Sequence, residues 1–138
     1  MDGEGARLSG GRWNRPGTAV VYASATVSLA VLELFVHTDT DLLPEDLVLV
    51  RVEIPDDCPA HMIAEGDLPR DWRGYPAPEV LQEMGTAWAA QGRTLVLSVP
   101  SAVIPQERNY LINPQHPDFD RISIGVPEAF RFDPRLIP

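Results

Sequence analysis

Three side chains able to bind or transform a charged ligand fall within little more than twenty residues. Arg12 lies in the glycine-rich loop Gly10-Gly-Arg-Trp-Asn14, Tyr22 ends an apolar stretch, and Glu33 interrupts a helix of apolar residues. A guanidinium can bind phosphate through two parallel hydrogen bonds, and an aromatic ring can stack on a flat heterocycle. With Ser101, which follows Pro100 far downstream, these residues indicate a site for an anionic, ribose-bearing ligand.

Glu33 is the most anomalous of these residues. The surrounding residues 27–36 are apolar on nearly every side, so we expect their helix to be buried on most sides. An ionised carboxylate there costs free energy unless it is paired, hydrogen-bonded or protonated. A partner such as Arg12, a backbone donor or a solvent-facing position would each explain Glu33 structurally. The helix alone supports a functional and a structural role equally.

The other candidates also have structural explanations. Arg12 could pack on Trp13 at the surface, and the ring of Tyr22 could lie in the core. No Gly-x-Ser-x-Gly motif surrounds Ser101, which argues against a hydrolase-type nucleophile. The spacing from Cys58 to His61 resembles half of a metal site, but the sequence has no matching pair and we expect no metal.

The composition excludes several function classes. The chain has 138 residues, enough for one domain with a hydrophobic core, and a net charge of −9, which argues against direct nucleic-acid binding. All 11 basic side chains are arginines, so lysine Schiff bases, pyridoxal anchoring and Walker-type phosphate loops are excluded. A single cysteine, no signal peptide and no long apolar run predict a cytoplasmic protein without a membrane segment.

Local patterns predict a mixed α+β fold with a strongly bent, mixed or antiparallel sheet and flanking helices, because helices and strands do not alternate regularly. Residues 1–18 are expected to form a loop. Helices are predicted from Ser24 or Thr26 to about His37, and from Pro78 to Gly92 with an apolar stripe of Val80 or Leu81, Met84 and Trp88. Strands are predicted at residues 19–23, 47–54, 94–99, 122–126 and 130–132.

Several segments, taken together, resemble the RES domain from about Gly5 to the C-terminus. They are Gly10-Gly-Arg-Trp-Asn-Arg-Pro-Gly17, Val21-Tyr22, Leu32-Glu-Leu34, Val99-Pro-Ser-Ala-Val103, Asn109-Tyr-Leu-Ile-Asn-Pro114, His116-Pro-Asp-Phe119 and Phe132-Asp-Pro-Arg-Leu136. The family is named for an arginine, a glutamate and a serine, which correspond here to Arg12, Glu33 and Ser101. The resemblance implies a single RES domain over residues 1–138. Because RES domains usually carry a further segment before this loop, residues 1–9 are expected to be loop or the remnant of a longer segment.

The resemblance also implies a function. RES domains are similar in fold to ADP-ribosyltransferases and act as toxins paired with an Xre-family antitoxin, within a complex that could contain a toxin dimer. NAD would be the substrate rather than a bound cofactor, cleaved at its nicotinamide–ribose bond with water or phosphate as acceptor. The alternatives are transfer of ADP-ribose to a host metabolic enzyme, or a non-enzymatic module that binds a regulator through its acidic surface.

The same resemblance assigns roles to the candidate residues. Glu33 would stabilise the positive charge that develops on the ribose, and Arg12 would bind the pyrophosphate. Tyr22 would stack on the nicotinamide, and Ser101 would hydrogen-bond the ribose or the nicotinamide. Asn113 is a further candidate for contact with NAD.

Overall fold

The structure, a computed structural model, describes residues 1–137 and has the predicted α+β architecture. Four 3-10 turns, at Thr40–Leu42, Glu65–Asp67, Phe119–Arg121 and Pro134–Leu136, connect the main elements. In chain order the helices and strands are α1 (Glu4–Ser9), β1 (Val21–Ser24), α2 (Val27–His37), β2 (Val48–Leu49), β3 (Val52–Glu53), β4 (Ala60–Met62), α3 (Glu79–Gln91), β5 (Val96–Pro100), β6 (Arg108–Ile112), β7 (Ser123–Ile124) and β8 (Glu128–Ala129).

A four-stranded mixed sheet in the order β1-β6-β5-β4 organises the fold. Strand β6 pairs antiparallel with β1 and β5, and β4 pairs parallel with β5. The register places Asn109 on β6 opposite Ser24 on one side and Val99 on the other. Two further two-stranded ladders join β2 to β8 and β3 to β7. Strand β6 therefore lies between β1 and β5, the two strands that carry or precede the candidate residues Tyr22 and Ser101.

The hydrophobic core has two parts. Alternation along β5 sends Leu97 and Val99 into one cluster and Val96 into the other. The first cluster also contains Trp13, Val20, Ile63, Trp72, Leu81, Trp88 and Leu111. The second contains Val21, Cys58, Leu95 and Ile112. The three tryptophans of the first cluster bring α3 and two loops, around residues 13 and 72, against the same side of the sheet.

Helix α3 confirms most of its prediction. It ends at Gly92, whose φ of 62° is the left-handed conformation typical of a glycine after a helix. Leu81 and Trp88 are buried, whereas Val80 is 41% exposed, which settles which of the two alternatives belongs to the stripe. At Gly85 the helix touches the Arg12 loop so closely that a Cβ would lie 1.8 Å from the carbonyl oxygen of Trp13.

The helix containing Glu33 differs from its prediction. Helix α2 begins where expected, with the Thr26 hydroxyl accepting a hydrogen bond from the backbone N–H of Leu29, and it ends at His37. Its only buried residue is Leu29, and Leu34 and Val36 are 37% and 54% exposed. The expectation that this helix is buried on most sides was wrong, because α2 packs mainly against the edge strand β1.

Other local predictions also need correction. Residues 4–9 form α1 rather than loop, and its residue Ala6 packs on the first core cluster. The single strand predicted over residues 47–54 is two short strands, because residues 50–51 face three residues, 125–127, between β7 and β8. One of these three, Pro127, has no N–H to donate. The strand predicted over residues 122–126 is only Ser123–Ile124, and residues 130–132 are not a strand. The strands β4, β6 and β8 were not predicted. Within residues 1–137, no helix has the length and apolar character needed to cross a membrane.

Candidate active site

The structure gathers four of the five predicted site residues around the ends of β1 and β5. Arg12 comes from the loop after α1, Tyr22 from β1, Glu33 from the middle of α2, and Ser101 from the residue after β5. Only one residue separates Ser24, at the end of β1, from the helix cap Thr26. This tight connection folds α2 back over β1 and carries Glu33 toward the ends of β5 and β6.

The Glu33 carboxylate is held through one of its two oxygens. Its Oε1 accepts hydrogen bonds from Ser101 Oγ at 2.7 Å and from Asn109 Nδ2 at 2.6 Å. Its other oxygen, Oε2, lies 3.9 Å from His37 Nε2, one helical turn further along α2. The side chain is 22% exposed, so a fixed carboxylate reaches the surface of the protein. Such a group can act on a ligand without first having to be ordered.

Ser101 is fully buried, and every hydrogen-bonding position of its hydroxyl is used. Oγ accepts from the backbone N–H groups of Val103 at 3.1 Å and Ile104 at 3.0 Å, and it donates to Glu33. A serine hydroxyl has one hydrogen to donate and two lone pairs to accept with. The structure therefore places Ser101 as a support for Glu33. Its predicted direct contact with NAD remains a prediction.

Two residues that the sequence analysis missed complete this network. Asn109, on β6, donates to Glu33, and its Oδ1 accepts from Ser24 Oγ at 2.7 Å. The available signal was an amide side chain two residues before Leu111, which puts the two side chains on the same face of β6, where Leu111 is buried. A partly buried amide at such a position favours a hydrogen-bonded partner.

Arg12 is fixed by main-chain carbonyls rather than by a carboxylate. Its Nη1 donates to the carbonyl oxygens of Trp72 at 2.7 Å and Gly74 at 3.1 Å, and within residues 1–137 it forms no salt bridge. Partial burial lowers the pKa of its guanidinium, and the nearby Glu33 and Tyr22 oppose that change. The group stays positively charged, because arginine is not deprotonated in proteins. In the part of the chain that the structure describes, only Nη1 of this guanidinium donates a hydrogen bond.

Tyr22 presents its ring and not its hydroxyl. The hydroxyl donates to Asn14 Oδ1 at 2.6 Å and accepts from the backbone N–H of Trp13 at 3.2 Å. Burial raises the pKa of this hydroxyl well above its usual value, so it remains protonated. The residue as a whole is 41% exposed, which excludes the purely core position considered from the sequence. At Gly11 a Cβ would lie 2.8 Å from the Tyr22 hydroxyl oxygen, so the close approach requires glycine.

Asn113 lies outside this group. It follows the opposite end of β6, donates to the carbonyl oxygen of Ala89 at 3.1 Å and accepts from the backbone N–H of Gln115 at 3.0 Å. A separate small pocket is formed by Asn113 together with Gly17, Thr18, Ala19, Ala89, Ala90 and Gln115. The structure does not bring Asn113 to Glu33, and its predicted contact with NAD remains a prediction.

His61, His116 and a larger pocket against α3 do not extend the site. Within residues 1–137, no group of three or more His, Cys, Asp or Glu residues could hold a metal ion. His116 fixes a loop, since its Nδ1 accepts from the backbone N–H of Asp118 at 3.0 Å. A larger pocket of about 340 Å³ lies against α3, beside His61 and Trp88, and includes none of the predicted site residues.

Comparison with known proteins agrees with the resemblance found in the sequence. Residues 1–133 match the RES domain. The chain is 42% identical over 139 residues to the "Prs ADP-ribosylating toxin" of Sphingobium sp. (strain YBL2), covering 99% of this chain and 86% of that protein. It is 40% identical over 135 residues to "Toxin Res" of Yersinia enterocolitica, covering 97% of this chain and 88% of that protein. "Toxin Res" of Photorhabdus laumondii is 37% identical over 136 residues, which cover 98% of this chain and 86% of that protein.

These findings define the class of protein: a compact α+β domain with a fixed carboxylate, a carbonyl-bound arginine and an exposed tyrosine ring at one edge of its sheet. The chain belongs to the RES domain family. The family match extends over Arg12, Tyr22, Glu33 and Ser101.

Proposed function

We propose that this protein is a toxin that consumes NAD by breaking the bond between nicotinamide and ribose, with water or phosphate as acceptor. The observation that carries the proposal is the Glu33 carboxylate, held through Oε1 by Ser101 and Asn109 and partly open to solvent. Arg12 and the ring of Tyr22 lie beside it and supply the cationic and aromatic contacts that a dinucleotide needs.

Loss of nicotinamide leaves positive charge on the ribose. The bond between C1′ and the ring nitrogen breaks, its electron pair goes to nicotinamide, and the sugar becomes oxocarbenium-like. A carboxylate fixed before the reaction stabilises that cation without the cost of reorganisation. Glu33 Oε2, which Ser101 and Asn109 do not bind, is the oxygen we assign to the ribose. The acceptor oxygen then adds to C1′ and loses its proton.

The remaining contacts follow from the side chains around Glu33. Arg12 would bind the pyrophosphate through Nε and Nη2, since its Nη1 is occupied by two carbonyls. The exposed ring of Tyr22 would support the nicotinamide. Ser101, whose hydroxyl is already fully used, would act on NAD through Glu33.

A second reaction shares the same site. The relative at 42% identity is named an ADP-ribosylating toxin, which favours transfer of ADP-ribose to a protein, such as a host metabolic enzyme, as the alternative. The chemistry at C1′ is the same in both reactions, and only the acceptor differs. An antitoxin of the Xre family, as the resemblance implies, is the partner we propose for this chain in the cytoplasm.

Incubation of the purified protein with NAD separates these reactions. Chromatography should show free nicotinamide with ADP-ribose, or with the phosphorylated sugar product when phosphate is present. A parallel sample with cell lysate and NAD labelled in its adenylate part should show no labelled protein. Labelled protein in the lysate, with intact NAD in the purified sample, would favour the transferase. Intact NAD and unlabelled lysate would contradict both reactions.

A further inference from the structure

We propose that Ser24 and Asn109 form a hydrogen-bond relay that positions the Glu33 carboxylate for NAD. In this relay, which rests on the proposed function, Ser24 Oγ donates to Asn109 Oδ1 at 2.7 Å, and Asn109 Nδ2 donates to Glu33 Oε1 at 2.6 Å. Neither residue touches NAD in this scheme. Both act by fixing which oxygen of Glu33 is left for the ribose.

The order of donors and acceptors in the relay is set by chemistry. A carboxylate only accepts hydrogen bonds, so Asn109 must present its NH₂ group to Glu33 and its carbonyl oxygen away from it. Ser24 stabilises that orientation, because its hydroxyl donates to the oxygen that points away. Without Ser24 the amide would still turn its NH₂ group toward Glu33, but its carbonyl oxygen would lose the donor that holds the other end of the side chain in place.

The backbone keeps the two ends of the relay in place. Ser24 and Asn109 are paired residues in the antiparallel ladder of β1 and β6, and paired residues on one face have Cβ atoms about 4.5–5.5 Å apart. The neighbouring residues are also joined by a backbone hydrogen bond, in which the N–H of Ala25 donates to the carbonyl oxygen of Arg108 at 3.1 Å. The relay is thus built on the sheet, whereas Glu33 comes from a helix that packs on the edge of that sheet.

Glu33 Oε1 has two donors, and they come from two strands. Ser101 reaches it from the end of β5, and Asn109 reaches it from β6. Two donors on one oxygen fix both the position and the rotation of the carboxylate, whereas one donor would leave the rotation free. Asn109 is therefore a positioning residue for Glu33, and its removal should affect the reaction step more than the binding of NAD.

The decisive substitutions change the relay without changing its shape. Asn109→Asp is nearly isosteric and places a second carboxyl against Glu33. Two carboxylates in contact cannot both stay charged easily, so they share one proton until the pH is high enough to remove it. While the proton is present, Asp at position 109 can still donate to Glu33, and above that pH it repels Glu33. The other charged or titratable groups near Glu33 are His37 and Arg12. Tyr22 lies next to Arg12, Glu107 accepts a hydrogen bond from Thr26 at the start of α2, and all four residues are unchanged in this variant.

Steady-state kinetics of nicotinamide release then test the relay. Asn109→Ala should lower kcat about 10- to 100-fold while KM for NAD stays within about threefold, since misplaced catalytic groups cost mainly turnover. Ser24→Ala should lower kcat by a smaller factor, and Ser24→Thr, which keeps the hydroxyl, should restore it. The ratio of Asn109→Asp to wild-type kcat should fall as pH rises, whereas the ratio for Asn109→Ala should be independent of pH. Unchanged kcat in Asn109→Ala, or a pH-independent ratio for Asn109→Asp, would overturn the relay.

A measurement without turnover separates the relay from the proposed function. In the free protein, the side-chain NH₂ resonances of Asn109, assigned by their loss in Asn109→Ala, should shift in both Ser24→Ala and Glu33→Gln. Both variants should retain the wild-type melting temperature within a few degrees. If wild type leaves NAD intact while these resonances shift, the proposed function fails and the relay stands. Resonances that neither substitution moves would overturn the relay even in an active enzyme.

Discussion

The Arg12 guanidinium donates a hydrogen bond of 2.7 Å to the carbonyl oxygen of Trp72, sixty residues further along the chain. This bond fastens the loop after α1 to the segment before α3. A second bond, to the carbonyl of Gly74, uses the same nitrogen and leaves Nε and Nη2 to bind a ligand. Arg12 therefore joins two loops, and Nε and Nη2 are the donors that the proposed function assigns to the pyrophosphate.

Replacement of Arg12 tests its assignment to the pyrophosphate. Arg12→Ala should raise KM for NAD about 10- to 100-fold, because charge-assisted hydrogen bonds are worth about 1.5–3 kcal/mol each. Arg12→Lys should recover only part of this loss, since an ammonium cannot form two parallel bonds to phosphate. Calorimetric titration of NAD into both variants, each in a Glu33→Gln background to prevent turnover, measures binding alone. An affinity for NAD equal to that of Glu33→Gln alone would contradict the assignment.

Two substitutions at Tyr22 separate the ring from the hydroxyl. Tyr22→Phe keeps the exposed ring and should leave KM for NAD within about threefold, whereas Tyr22→Ala should raise KM because the stacking surface is lost. Tyr22→Phe should also lower the free energy of unfolding by about 1–3 kcal/mol, since Trp13 N–H and Asn14 lose their partner. Equal KM values for the two variants would show that the ring does not contact NAD.

The raised pKa of Tyr22 predicts a specific alkaline behaviour. The pKa of the Tyr22 hydroxyl is higher in the folded protein than in the unfolded chain. Its contribution to stability is therefore complete at pH values below the pKa of the unfolded chain, and it is lost as the pH rises toward the pKa of the folded protein. Stability should therefore decrease as pH rises through about 10, the pKa of an unfolded tyrosine. Denaturation curves between about pH 9 and 11 should show a smaller decrease for Tyr22→Phe than for wild type. Parallel decreases in the two proteins would contradict the buried hydroxyl.

Ser101→Ala distinguishes contact with NAD from support of Glu33. If the hydroxyl supports Glu33, as the structure shows, kcat should fall about tenfold or more while KM changes little. If it bound NAD directly, KM would rise instead. The variant should also lose about 1–3 kcal/mol of stability, because the N–H groups of Val103 and Ile104 lose their acceptor. The kinetic constants should be compared at a temperature where urea denaturation shows both proteins folded.

The contact of α3 with the Arg12 loop should control stability. Gly85→Ala would place a Cβ 1.8 Å from the carbonyl oxygen of Trp13, so the helix and the loop must separate, at a cost of about 3 kcal/mol. Gly5→Ala is the matched control, because it also lies in a helix but has nothing within 4 Å of the new Cβ. The control should be neutral or slightly stabilising. Similar melting temperatures for the two variants would contradict the packing described here.

The sequence predicted the ends of α2 and α3 correctly, because each end depends on a few residues that are neighbours in the chain. Thr26 caps α2 and Gly92 ends α3 because a cap depends on a few neighbouring residues. Burial of α2 was predicted wrongly, since a run of apolar residues does not show how much protein will cover it. The strand expected over residues 47–54 was interrupted by a property of its partners, the three residues 125–127 between β7 and β8, which lie far away in sequence.

The site shows the same division. Unusual sequence surroundings and the family motifs were enough to single out the candidates Arg12, Tyr22, Glu33 and Ser101. The contacts of Asn109 with Ser24 and Glu33 depend on a strand register that pairs residues 85 positions apart, which one sequence does not encode locally. Likewise, only the packed structure shows that the Ser101 hydroxyl is already fully bonded.

The most direct test of the account is the rate of nicotinamide release from NAD by Glu33→Gln, measured beside wild type and Glu53→Gln. Both substitutions remove one carboxylate charge, but Glu53 lies on β3, outside the four-stranded sheet, and its side chain is 69% exposed. Glu33→Gln should fold normally and lose activity by about 100-fold or more, whereas Glu53→Gln should match wild type. A folded Glu33→Gln protein that releases nicotinamide at the wild-type rate would contradict the central role of Glu33.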